Sequence, residues 1–183
     1  MRRHLPFVLL LLVGCGATPP IAPGYAGAAP TDSCTSGQLW TGGTSESELM
    51  NPGYACRSCH LGNNFQGQNP SGSSERGKAY FFMGTAYGEV RQADLCAAAG
   101  VPADAVVEIL DMNDVVQATL TINAAGNFRS TKTTAGFTLP YKARVKANGK
   151  TNAMASSQMD GDCNTCHTAT GLNAAPGRIF FPL

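Results

Sequence analysis

Histidine is nearly absent from this chain: its 183 residues include three. His4 lies in a stretch with the marks of an export signal, which leaves His60 and His167. General acid–base chemistry by histidine therefore has no spare group to draw on. Charge is also sparse, at 14% of residues, with 13 Lys and Arg against 12 Asp and Glu. Such a balance creates no strong field that would favour nucleic acid or an acidic membrane surface, so no nucleic-acid partner is expected. No apolar run reaches the roughly 20 residues that a membrane-spanning helix requires.

Both remaining histidines close the same pentapeptide. Cys-x-x-Cys-His occurs as Cys56-Arg57-Ser58-Cys59-His60 and as Cys163-Asn164-Thr165-Cys166-His167. Cysteines three positions apart share one side of a helical turn, where both thiols reach vinyl groups on one haem edge, and the adjacent histidine projects under the ring. The spacing thus predicts two covalent haem c groups, bound through Cys56, Cys59, Cys163 and Cys166, with His60 and His167 on the irons. Zinc is the competing occupant, since the two pairs supply four thiolates. It needs no histidine after each pair, however, and zinc knuckles lie closer together in sequence. A thioredoxin-like pair fits less well, because neither motif sits between a strand and a helix.

The N-terminus points to export. Arg2 and Arg3 precede an apolar segment over residues 5–13, too short to span a bilayer and typical of a secretory signal. Leu12-Val13-Gly14-Cys15 resembles a bacterial lipobox, which implies cleavage at residue 14 and lipidation of Cys15. The alternative is an ordinary signal peptide cleaved near Ala17. Export agrees with the haem reading, because bacterial c-type haem is attached outside the cytoplasm. With four cysteines assigned to haem and one to lipid, Cys34 and Cys96 are left for a disulfide in an oxidising compartment. That bridge would close a loop of about sixty residues and contribute about 4 kcal/mol. Two buried thiols are the other possibility.

Composition divides the chain into an export signal (1–14), a flexible tether rich in Pro, Ala and Gly (15–33), a first haem segment (34–79), a β-sandwich (80–150) and a second haem segment (151–183). From residue 80, short β-type runs are separated by turns. Val116, Ala118, Leu120 and Ile122 alternate with Gln117, Thr119 and Thr121. Tyr141, Ala143 and Val145 alternate with Lys142, Arg144 and Lys146, and Asn148-Gly149 is a hairpin signal. The expected fold is mainly β, an antiparallel sandwich with irregular haem-binding segments on both sides. Helix is expected only over 94–99 and at the haem motifs.

The order Gly84-Thr85-Ala86-Tyr87, then 106–111, then 121–128 resembles the carboxypeptidase-regulatory-like (collagen-binding B-type) β-sandwich, which implies an Ig-like or prealbumin-like topology. The stretches 161–168 and 175–179 are similar to exported bacterial haem proteins that attach c-type haems to such a sandwich.

Each iron needs a second axial ligand, and both histidines are already used. Methionine is the next common choice. Beyond Met1 the chain offers Met50, Met83, Met112, Met154 and Met159. Met154 is the candidate for the second haem and Met50 for the first, with Met159 and Met83 as substitutes and Met112 structural. Lysine, tyrosine or an open position are alternatives. Arg57 and Arg178 are candidate partners for haem propionates, the Pro176 carbonyl for the His167 ring, and Leu172, Ile179, Phe180 and Phe181 for the walls of the second site. The reading is a non-enzymatic electron carrier, lipid-anchored in a bacterial envelope and serving redox partner proteins. A di-haem peroxidase-like enzyme, or a partner-binding sandwich with structural haems, are the alternatives.

Overall fold

The computed structural model describes residues 34–43, 45, 47–60, 80–130 and 136–182, with only the backbone of Cys59. The export signal, Cys15, the tether and residues 61–79 of the first haem segment lie outside the described residues. Strands dominate, in two sheets, with almost no helix among the described residues. None of that helix is long and apolar enough to cross a membrane.

The larger sheet holds β2 (Val106–Leu110), β3 (Val116–Thr121), β5 (Lys142–Ala147) and β6 (Lys150–Ala153) in the order β3-β2-β5-β6, all antiparallel. In β5 the alternation of apolar and charged residues matches the burial: Ala143, Val145 and Ala147 are buried, whereas Lys146 is exposed. The β5–β6 hairpin turns on Asn148 (φ 53°) and Gly149 (φ 70°), the pair of left-handed residues that a tight hairpin requires. The smaller sheet places β1 (Met83–Tyr87) between β4 (Asn127–Arg129) and β7 (Ile179–Phe180). β1 and β4 are antiparallel, but β1 and β7 run parallel. The sheet is therefore mixed, not wholly antiparallel as the turn spacing implied.

Inward residues of both sheets meet in one core that includes Phe82, Ala86, Val107, Ile109, Phe128, Tyr141 and Val145. Phe82, with no exposed surface, sits edge-on to Phe81, Phe137 and Tyr141 at centroid distances of 4.7, 4.6 and 4.6 Å. Burying an aromatic side chain this completely is worth about 3–5 kcal/mol on truncation to alanine. On the other face of the large sheet, Glu108 pairs with Arg144 at 2.5 Å and Lys146 at 3.1 Å, its strand-register neighbours.

Residues 94–99 are not a helix. They form a turn whose Cys96 bridges to Leu39, and Cys34 is joined to Cys96 by a disulfide across 62 positions. Backbone hydrogen bonds Trp40 N–H to Leu95 O, Ala97 N–H to Gln38 O and Leu95 N–H to Pro52 O add to the attachment. The first segment is thus pinned to the sheets just ahead of its Cys-x-x-Cys-His. The C-terminal segment is equally built in, because β6 straddles the expected boundary at 150 and β7 completes the small sheet.

Glu108 offers a test of the outer face. Burial pushes its carboxyl up, but hydrogen bonds from Arg144 and Lys146 outweigh burial and hold it below the ordinary carboxylate range. A depressed folded pKa contributes stability at neutral pH that is lost as pH falls through it. Glu108→Gln should therefore lower unfolding free energy by about 1–2 kcal/mol near pH 7. In urea titrations that deficit should shrink as pH drops below about 4.

Candidate functional site

The two motifs, far apart in sequence, lie side by side. Residues Arg57–His60 form a single helical turn, α1, and Cys163–Thr165 a 3-10 turn. Asp162 accepts Cys56 N–H at 3.3 Å and Arg57 N–H at 2.8 Å, satisfying donors that so short a helix leaves open. Asn164, an intervening residue of the second motif, has 2% of its surface exposed. Its amide donates to Tyr54 O at 2.8 Å and Thr85 Oγ1 at 3.2 Å, and its Oδ1 accepts Thr85 N–H at 3.0 Å. Thr85 Oγ1 in turn accepts Gly53 N–H at 2.9 Å. β1 is buried at every position because the large sheet and the motif segments cover it together.

Arg178 locks this arrangement. It has no exposed surface. Its guanidinium donates to Gln92 O at 2.9 Å, Gly53 O at 2.9 Å and His167 O at 3.1 Å, pairs with Asp94, and lies 5.4 Å from the centre of the Tyr87 ring. A Cβ on Gly53 would stand 2.7 Å from Tyr87 Oη and 2.9 Å from Arg178 Nη2, and its φ of +84° also demands glycine. Arg178 is thus committed to protein acceptors, not turned toward a propionate. Arg57 is committed as well, to Asp160 at 2.6 Å and Phe81 O at 3.2 Å, with its guanidinium 5.2 Å from the Phe81 ring centre.

His167 sits on an open cleft of about 280 Å³ whose walls include Ala143, Val145, Met154, Ile179 and Phe180 alongside Cys163 and Cys166. Its Nδ1 lies 2.8 Å from the carbonyl of Gly177, one residue beyond the expected Pro176. A carbonyl only accepts, so Nδ1 carries the proton and Nε2 keeps its lone pair. Burial, together with the charge of Arg178, holds the ring below the usual histidine range against the Gly177 hydrogen bond, so it is neutral near pH 7. Gly177 itself has φ +135°, and a Cβ there would lie 2.5 Å from Val90 O.

Of the methionines, Met154 lines the His167 cleft, whereas Met159 is 59% exposed and Met112 lies on the surface. Met83 is buried in β1, and Met50 is half-buried, its carbonyl accepting from Asn127 Nδ2 at 2.8 Å. Ile179 and Phe180 line the cleft as expected of walls, but Phe181 belongs to the core and Leu172 is exposed. His60 stands edge-on to Tyr80, ring centres 6.1 Å apart.

No protein-family model, curated protein or solved structure matches this chain. The chemistry of the site is therefore argued from its own residues.

The thiols are not equivalent. Cys56 and Cys163 are reduced, and burial pushes the Cys163 thiol up to about 12. Cys166 is in a disulfide whose partner lies outside the described side chains. Among the described residues no group of three or more His, Cys, Asp or Glu side chains is arranged to hold a metal ion.

A haem fits the second site by its donor set: one imidazole with a fixed tautomer, two cysteines and a thioether on apolar walls. Of the residues that organise the site, Asp162, Asn164, Gly177 and Asp94 carry no motif signal. Asp162, Asn164 and Gly177 at least lie within or near the second motif, whereas Asp94 is far from both motifs in sequence.

Replacing Arg178 with methionine would leave the carbonyls of Gly53, Gln92 and His167 buried without this donor. Arg178→Met should cost about 3–5 kcal/mol in chemical denaturation. A loss below about 1 kcal/mol would mean the guanidinium is not the lock.

Proposed function

We propose that this protein is a di-haem c-type cytochrome that transfers single electrons in a bacterial cell envelope. The reading is carried by His167, a neutral imidazole whose Nδ1–H is tied to Gly177 O, set in an apolar cleft with the cysteines of its own motif and Met154. Cys163 and Cys166 would hold the second haem, with His167 and Met154 toward its iron. Cys56, Cys59 and His60 would hold the first, with Met50 as the candidate second ligand. When bound, haem supplies a one-electron ferric–ferrous couple. The chain's own residues hold, orient and shield it. The Gly177 hydrogen bond fixes the His167 tautomer, Arg178 fixes the His167 backbone, and Val145, Ile179 and Phe180 keep water from one face. Attachment at the second motif requires Cys166 as a thiol, so its disulfide must first take two electrons and two protons from an external dithiol, which leaves as a disulfide.

The scaffold fits an Ig-like or prealbumin-like sandwich of the carboxypeptidase-regulatory-like (collagen-binding B-type) kind. The near absence of charge bias suits docking to redox partner proteins over nucleic acid. Lipidation at Cys15 would anchor the protein to the outer membrane, at its periplasmic or extracellular face. The Cys166 disulfide favours a second reading, a haem-free sandwich stapled through its cysteines that binds a partner.

A pyridine haemochrome spectrum with denatured mass separates the two. The cytochrome carries two haem masses, Cys163→Ala loses one covalent thioether, and Cys163→Ala with Cys166→Ala loses one haem. A disulfide-linked chain without haem rejects the reading. In the ferric protein, a far-red sulfur-to-iron band should be present and should weaken in Met154→Ala but persist in Met159→Ala. Cys15→Ser should move the protein from membrane to soluble fractions, and unchanged partitioning would remove the lipid from the account.

A further inference from the structure

The chain contains one Asn-Gly pair, Asn148-Gly149, and the fold sets it at the tip of the β5–β6 hairpin. Both residues are exposed, and a Cβ on Gly149 would meet nothing within 4 Å beyond its chain neighbours. Asparagine followed by glycine is chemically labile, because no side chain crowds the glycine nitrogen that stands next to the carboxamide carbon. One contact acts against that lability. Asp104, 44 positions earlier, accepts the Asn148 N–H at Oδ1 across 3.0 Å. Hydrogen bonds from the Asn148 N–H, its own N–H and the Gly149 N–H hold its carboxyl below the ordinary range. The nitrogen that would attack is therefore engaged by an anion.

We propose that Asn148 is a site of spontaneous deamidation and that Asp104 guards it. A solvent base takes the Gly149 N–H proton, and the amide nitrogen attacks Asn148 Cγ. The new C–N bond closes a succinimide ring while the Cγ–Nδ2 bond breaks, and the departing nitrogen takes up a proton to leave as ammonia. Water then adds to either ring carbonyl, giving an aspartyl or an isoaspartyl residue. Asp104 opposes the first step twice: its hydrogen bond holds the N–H in the turn, and its charge disfavours the amide anion. The consequence reaches the cleft. An isoaspartyl linkage inserts a methylene into the turn that sets the register of β6, and β6 leads directly to Met154, whose N–H donates to Ala143 O at 2.9 Å.

The test incubates the intact folded chain and its Asp104→Ala variant side by side at one mildly alkaline pH. The peptide carrying residue 148 is followed by mass and by chromatographic separation of its isoaspartyl form. The expected rate is about fivefold higher in Asp104→Ala, which is what one charge at contact distance is worth in water. Asp104→Asn, which keeps an acceptor oxygen without the charge, should fall between the two. In concentrated urea the difference should vanish, because only folding brings Asp104 to the turn. A parent that reacts as fast as Asp104→Ala, or faster, overturns the guarding role, and so does a difference that persists in urea. If Asn148 stays intact in every chain, the site itself is rejected. None of these outcomes depends on haem content, so they stand apart from the di-haem reading.

Discussion

The fold depends on a guanidinium with no access to water. Arg178 reaches carbonyls of three separate segments, from Gly53 just before the first motif, through Gln92, to His167 at the end of the second. A buried cation is costly unless its donors are met, and here its partners are backbone carbonyls and Asp94. The arrangement is therefore close to all-or-none. Gly53, Gln92 and His167 are in place together, or the charge is left unsatisfied. That is a stricter specification than apolar packing supplies, since hydrophobic contact tolerates small shifts and a planar fork of donors does not.

This constraint explains why the motif segments behave as a third layer and not as arms. β1 is covered on both faces, so Thr85 and Tyr87 would be exposed polar positions if residues 51–60 and 161–167 swung away. The Cys34–Cys96 disulfide limits the same swing at the start of the described chain. Under the proposed function such rigidity would matter, because a cofactor held on a fixed layer needs little rearrangement when its charge changes.

Much of the sheet architecture was legible. β5 declares itself by alternation, and Asn148-Gly149 marks its hairpin, because a period of two and two left-handed residues are local properties. β6 was missed because Lys150-Thr151-Asn152-Ala153 is polar and lies on a sheet edge, where burial leaves no pattern. β7 was missed because its pairing to β1 is a long-range event of two residues. The helix expected at 94–99 gave way to a disulfide and a bridge, tertiary constraints that outweigh a weak local propensity. At the site, the pentapeptides are local patterns that mark the segments the fold brings side by side, whereas only tertiary structure separates Met154, on the cleft, from the exposed Met159. Arg178 read as a propionate partner because nothing local distinguishes an arginine buried against protein carbonyls from one turned to a ligand. Asp162 and Asn164 were illegible for the same reason: their partners lie 79 to 110 positions away.

The parallel pairing of β1 with β7 has a consequence for timing. A strand near the start of the described sheets must wait for one that follows all the others, so the small sheet closes late during synthesis. Folds dominated by such distant contacts assemble slowly. Until closure, the thiols around Asp162 remain open to whatever reacts with them first, be it another thiol or, under the proposed function, an incoming cofactor. Maturation of this protein is on that account a race, and the chain's topology lengthens the interval in which it is run.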